Sequence, residues 1–225
     1  MCKLHPEDEN ARKQVEEFCK HVFDLRVVHD IIKELFEDEQ AQSLMERTAH
    51  WFFIDLSKIV GNYLRLEMTK LTDPASSRTP AGNVENFIIS NMLDSIQWPV
   101  EVLKELKRLS QPVLKVGEYN RLARNKILAH NDKETILLGK TLGSFPEGED
   151  DRATGALREM CDCMHQASFG ESCGDISFAH NSDVRALKLA LQRALAFDKV
   201  LSRNESAEFR TLMLECLTDI KKGDV

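Results

Sequence analysis

The sequence predicts an all-α protein, a single-domain helical bundle with long helices in its N-terminal third. Three observations carry that expectation. Apolar residues recur every three or four positions over most of the chain, the period of one helix face. Only Thr135–Leu138 reads as a strand, and it is too short to build a sheet. The 225 residues are 42% apolar and 30% charged, the balance of a folded chain long enough to bury a sizeable core.

The first helix is expected from about Asp8 to Phe36. Val15, Phe18, Val22, Leu25, Val28, Ile32 and Leu35 line one face, and the acids Glu7, Asp8 and Glu9 after Pro6 suit a helix N-terminus. Its length invites a break near Asp24–Asp30. A second long helix is expected from about Glu39 to Leu71, with Leu44, Trp51, Ile54, Ile59, Leu64, Leu66 and Met68 apolar and Gly61 a point of close packing. The stretch DPASSRTPAG (73–82) reads as a loop, because two prolines, a glycine and small polar residues break the period. Asn83 and Asn86 open a short helix, NVENFIISNMLDSI. Pro99 suits the first turn of a helix to about Ser110. Pro112 and Gly117 then punctuate the approach to another, about Glu118 to Ala129. LGSFPEGEDD (142–151) reads as an exposed acidic loop. Helices follow at about 152–168, 183–202 and 205–221, with Ser182 and Asn204 as N-caps of the last two.

Several function classes drop out. The six cysteines are irregularly spaced and do not form a disulfide framework. MCKLHPEDEN lacks the apolar core of a signal peptide, and no stretch approaches the roughly 20 apolar residues of a membrane helix. A cytoplasmic protein with no membrane association is expected. There is no glycine-rich phosphate loop, no GxSxG elbow and no HExxH, so nucleotide hydrolysis, serine hydrolysis and zinc proteolysis are not indicated.

Charge points elsewhere. The formal net charge is −7, which opposes indiscriminate nucleic-acid binding. Yet from Lys104 to Lys133 the chain carries +5 and the remainder −12. A basic island on an acidic body could hold a polyanion locally; the alternative is a solvated helix face that happens to be basic. At its end stands RLARNKILAHND (121–132). Histidine suits proton transfer near neutral pH, arginine pairs its planar fork with two phosphate oxygens, and asparagine holds either partner by hydrogen bonding. Arg124, Asn125 and His130 therefore make a minimal kit for cleaving a phosphodiester without a metal or any other cofactor. On one straight helix, Arg124 and His130 sit about 120° and roughly 9 Å apart. A working site needs the helix to end before His130, or a second copy to meet the first across a two-fold axis.

RNKILAHND resembles the signature of HEPN domains, in which an arginine precedes a histidine by a few residues. The fuller pattern RNK..AH.D is similar to the AbiU2-like branch, in which a run such as LTDP also follows the long N-terminal helices; Leu71–Pro74 reads LTDP. The resemblance covers about residues 40–140. It implies a HEPN-like core there, within one all-α domain spanning 1–225, with C-terminal helices at about 152–221 packed on it. It implies a homodimer whose motif helices face each other and an RNA substrate cut without metal, often in phage defence or toxin systems. A cognate antitoxin or other partner protein is expected as an acidic partner docked by the same basic helix where the module is non-catalytic. Arg124 would act on the phosphate, His130 in proton transfer and Asn125 as the accessory polar group, with Arg121 and Lys126 binding the RNA backbone. The alternative is a non-catalytic HEPN-like module that keeps the fold and mediates dimerisation.

Other clusters read more plainly. CDCMH (161–165), with Cys173 and His180, offers zinc-type ligands, but Cys161 and Cys163 point about 160° apart on a helix, so no metal is expected. HWFFID (50–55) reads as core, with His50 and Asp55 at its edges. His21 and His29, eight apart, read as structural.

Overall fold

The computed structural model describes residues 8–74, 76–79, 82–123, 146–174, 177–203, 207–209, 211–212 and 215. Its long helices are α1 (Glu9–Ile31), α2 (Glu39–Lys70), α4 (Val100–Ala123), α5 (Glu149–Phe169) and α6 (Ser177–Arg203), with a short α3 (Ile89–Asp94). A π-helical turn, Ile32–Glu37, joins α1 to α2. Residues 207–209, 211–212 and 215 are also helical. The protein is an all-α bundle, as the periodicity predicts.

Helix α1 starts where Asp8 accepts a hydrogen bond from the Ala11 amide at 3.0 Å. It does not break at Asp24–Asp30. Val22, Leu25 and His29 keep one stripe buried through that stretch, and the winding widens only at Ile32. Asp38 then caps α2 by accepting from the Ala41 amide at 2.7 Å. Helix α2 bends at Ala49, whose φ of −148° and ψ of 59° are not helical.

The expected loop at 73–82 is in part an antiparallel hairpin, β1 (Ser76–Thr79) with β2 (Gly82–Glu85), in register Ser76↔Glu85 to Thr79↔Gly82. Pairing satisfies backbone groups where the side chains are too polar to announce a strand. The hairpin takes the residues assigned to the start of the next helix, so α3 begins only at Ile89, whose amide donates to Leu71 O at 3.0 Å.

Helix α4 replaces two expected helices. Pro112 removes one intrahelical donor, yet the helix runs through it. Leu106, Leu109, Val113 and Val116 form one buried stripe across the proline, and that packing outweighs the lost bond. The expected acidic loop ends earlier than predicted: α5 starts at Glu149, whose carboxylate is only 8% exposed between Lys115 Nζ at 3.2 Å and Arg152 Nη1 at 2.9 Å. Helix α5 closes on Gly170 at φ 82°, a left-handed cap that a side chain would strain. Helix α6 begins at Ser177, six residues before the expected start.

The main core joins α1, α4 and α5 through Phe18, Leu25, Leu106, Val113, Leu157, Met160 and Met164, all under 2% exposed, with α3 closing it. A smaller core of Leu35, Ala41, Met45, Phe53 and Val184 lies where α2 meets α6. HWFFID is not core as predicted. Trp51 is 75% and Phe52 63% exposed, and only Phe53 is buried. Three consecutive helical residues sweep about 200° of the helix surface, so one at most can face a single neighbouring layer.

Candidate functional site

Helix α4 is the element that leads into the basic motif. Arg124, Asn125, Lys126 and His130 lie outside the described residues, as does the strand-like Thr135–Leu138. Arg121 lies inside them, on the last turn of α4. The structure therefore defines the approach to the motif.

That approach is anchored by the second piece of the sequence signature. The LTDP turn at the end of α2 packs directly on α4. Thr72 is 7% exposed, with its hydroxyl donating to Thr69 O at 2.9 Å and its amide donating to the same carbonyl at 3.0 Å. Gly117 faces it so closely that a Cβ there would lie 2.0 Å from Thr72 Oγ1. The Arg121 guanidinium donates through Nη2 to Thr72 O at 3.3 Å. Two motif fragments 49 residues apart in sequence thus form one clamp. Gly61 does not provide the close packing expected of it, because a Cβ there would meet only the Arg65 side chain at 3.9 Å. The glycine that matters is Gly117, which the sequence presents only as punctuation.

Asn120, one residue before Arg121, is 2% exposed, and its Oδ1 has no hydrogen-bond partner. It lines a cleft of about 130 Å³ between α2, α4, α5 and the π-helical turn, with Met68, Val116, Asp150 and Thr154 among its walls. Asn120 continues the α4 apolar stripe at the next step of four, so the period conceals it as a core position.

The basic island is partly neutralised. Arg108 donates to both oxygens of Glu105, through Nε at 2.9 Å and Nη2 at 2.6 Å, and this pairing holds the Glu105 carboxyl below its ordinary range. Lys115 pairs with Glu149. Lys104 and Lys107 are exposed. The charge that the sequence assigns to one face is thus spent in part on holding α4 to α5.

The span and order of these elements can be compared with known proteins. A family model of HEPN proteins, AbiU2, matches residues 8–193. The chain belongs to the AbiU2 family of HEPN proteins. No curated protein and no solved structure matches it. The AbiU2 match runs from the cap of α1 into α6 and takes in LTDP, α4 and the whole of RNKILAHND, well beyond the 40–140 of the motif resemblance.

Two further clusters in this AbiU2 protein are placed by the structure. In CDCMH, Cys161 is buried and Cys163 half-buried, and His165 Nδ1 lies 2.9 Å from Glu171 O. Cys161 instead meets Cys19 of α1, whose thiol lies 3.8 Å from Cys161 O. Both line a cavity with Cys173, Arg26 and Arg158. Hydrogen bonding with Cys19, then burial, holds the Cys161 thiol well above its ordinary value, and burial pushes Cys173 up to about 11. These two are protonated thiols at neutral pH. Among the histidines, His21 Nε2 faces Glu67 Oε2 of α2 at 3.7 Å, while His29 turns to the start of α5. Among the described residues no helix is long and apolar enough to cross a membrane.

Proposed function

We propose that this AbiU2-family protein is a metal-independent endoribonuclease that acts as a homodimer, in phage defence or a toxin system. The observation that supports the reading is the family match over residues 8–193, a span in which the sequence carries Arg124, Asn125 and His130. The chemistry follows from those side chains. An RNA 2′-hydroxyl attacks the adjacent phosphate as one His130 imidazole takes its proton. The imidazolium of the second subunit's motif returns a proton to the departing 5′-oxygen. The products are a cyclic phosphate and a free 5′-hydroxyl. Arg124 pairs with the phosphate oxygens as charge builds on them, and Asn125 orients the group beside it. Arg121 and Lys126 contact the backbone on either side, a contribution that weakens as salt rises. Arg121 is exposed as well as bound to Thr72 O, and its guanidinium carries further donors of the kind that pair with a phosphate. A cognate antitoxin or other partner protein would restrain the activity.

The test is cleavage of mixed RNA in EDTA by wild type and by His130→Ala. The substitution is expected to lower the rate about 10²–10⁴-fold. Equal cleavage by both proteins, or by neither, removes the catalytic reading. The second reading, a non-catalytic dimerisation or docking module, draws on the exposed Trp51, Phe52 and Ile59 of α2. It expects His130→Ala to change oligomeric state with no turnover to lose.

A further inference from the structure

Away from the basic motif, one place among the described residues brings three groups of metal-ligand type together. His29 of α1 meets Asp150 and Asp151 in the first turn of α5, with one ligand atom of each within 4.8 Å of the others. Acids in a first helical turn need no special cause, since they complement the helix dipole. The histidine does need one. His29 is 6% exposed, and neither ring nitrogen makes a hydrogen bond, although Asp151 Oδ1 stands 3.2 Å from Nε2 and Asp30 Oδ1 3.7 Å from Nδ1. A buried imidazole with two unsatisfied nitrogens is destabilising unless something else engages it.

We propose that His29, Asp150 and Asp151 bind a divalent transition-metal ion of the zinc type, linking α1 to the N-terminus of α5. The separation of His29 Nε2 from Asp151 Oδ1 matches the edge of a tetrahedral site, about 3.4 Å for metal–ligand bonds near 2.1 Å. One imidazole with two carboxylates is a donor set that such ions accept. Asp30, beside Nδ1, is placed to take the proton of the nitrogen that does not ligate and so to orient the ring. Lys33 is the resident competitor. Its ammonium lies 3.0 Å from Asp151 Oδ2 and 2.8 Å from Glu37, which leaves Asp151 Oδ1 facing the histidine. The corner as a whole sets Asp30, Glu37, Asp150 and Asp151 against the Lys33 ammonium and the Arg65 guanidinium, which lines one cleft with Glu37 and Asp150, and a dication offsets the negative charge that remains.

This inference is independent of RNA cleavage and has its own readouts. Protein stripped of metal by chelation is titrated with zinc in a calorimeter and with cobalt(II) in a spectrophotometer. One ion per chain is expected, with visible cobalt absorption, no near-ultraviolet thiolate band, and a melting temperature that rises with zinc. Asp150→Asn and Asp151→Asn alter part-exposed side chains and leave the core intact. Each is expected to weaken zinc binding about 10–100-fold. His29→Gln should do the same. The proposal is overturned if wild type binds no zinc, if a thiolate band places the ion on the cysteines, or if either asparagine variant binds as tightly as wild type.

Discussion

The two cores of this molecule differ in depth, and the deeper one holds the helix that leads toward the basic motif. The α1–α4–α5 core contains its largest fully buried side chains and includes the stripe that positions α4. The α2–α6 core is a handful of residues, and most of α6 beyond Val184 faces outward, with Leu187, Leu189 and Val200 exposed. Helix α4, which ends at Ala123, is thus anchored in the deep core and clamped by LTDP, while the shallow core holds α6 against α2. The deeper packing therefore lies along α4, the element that immediately precedes residue 124 in the chain.

Truncation in each core tests that contrast most strongly. Phe18→Ala is expected to destabilise by about 3–5 kcal/mol, because its site is walled by three helices and collapses poorly. Phe53→Ala, in the shallow core, should lose about 1–3 kcal/mol. Chemical denaturation that gave equal losses would break the comparison.

A smaller effect comes from the clamp. Gly117→Ala forces a methyl into Thr72, so about 1–3 kcal/mol is lost and α4 shifts against the LTDP turn. Under the proposed function, RNA cleavage should fall more than stability alone explains. Gly61→Ala meets only a flexible arginine and should be neutral or slightly stabilising, measured by thermal melting.

The smallest effect lies at the shallow core's edge. The Ala41 amide, and then Lys188 of α6 at 3.4 Å, hold the Asp38 carboxyl below its ordinary range. Because the folded value is the lower one, the stabilisation is present above the ordinary carboxylate range near 3.9 and is lost as pH falls through the folded value. Asp38→Asn should therefore melt below wild type at neutral pH, with the gap closing in acid. A gap independent of pH would place the effect in cap geometry rather than in charge.

Much of the bundle is legible along the chain. Val15, Phe18, Val22, Leu25 and Leu35 are buried as their spacing predicts, and the family resemblance seen in RNKILAHND and LTDP agrees with the family match over residues 8–193. Other features are not legible, for particular reasons. Pro112 looks like a boundary because its missing donor is a local fact, whereas the packing that carries α4 through it is not. Trp51, Phe52 and Phe53 are alike in hydrophobicity, and only the direction of the neighbouring layer separates them. Cys19 is 142 residues from Cys161, so no spacing rule pairs them. His29 looks like one more helical histidine until α5 brings two carboxylates to it.

By itself, the sequence determined the helical period and the start of the first helix near Asp8, since each depends on residues within a few turns of one another, and it carried membership of a HEPN family. Tertiary structure alone decided which glycine touches a neighbour, which aromatic is buried and which acids surround a buried imidazole. Those outcomes depend on how helices distant in sequence rotate and settle against one another, and that rotation is set by the sum of many weak contacts across the whole core.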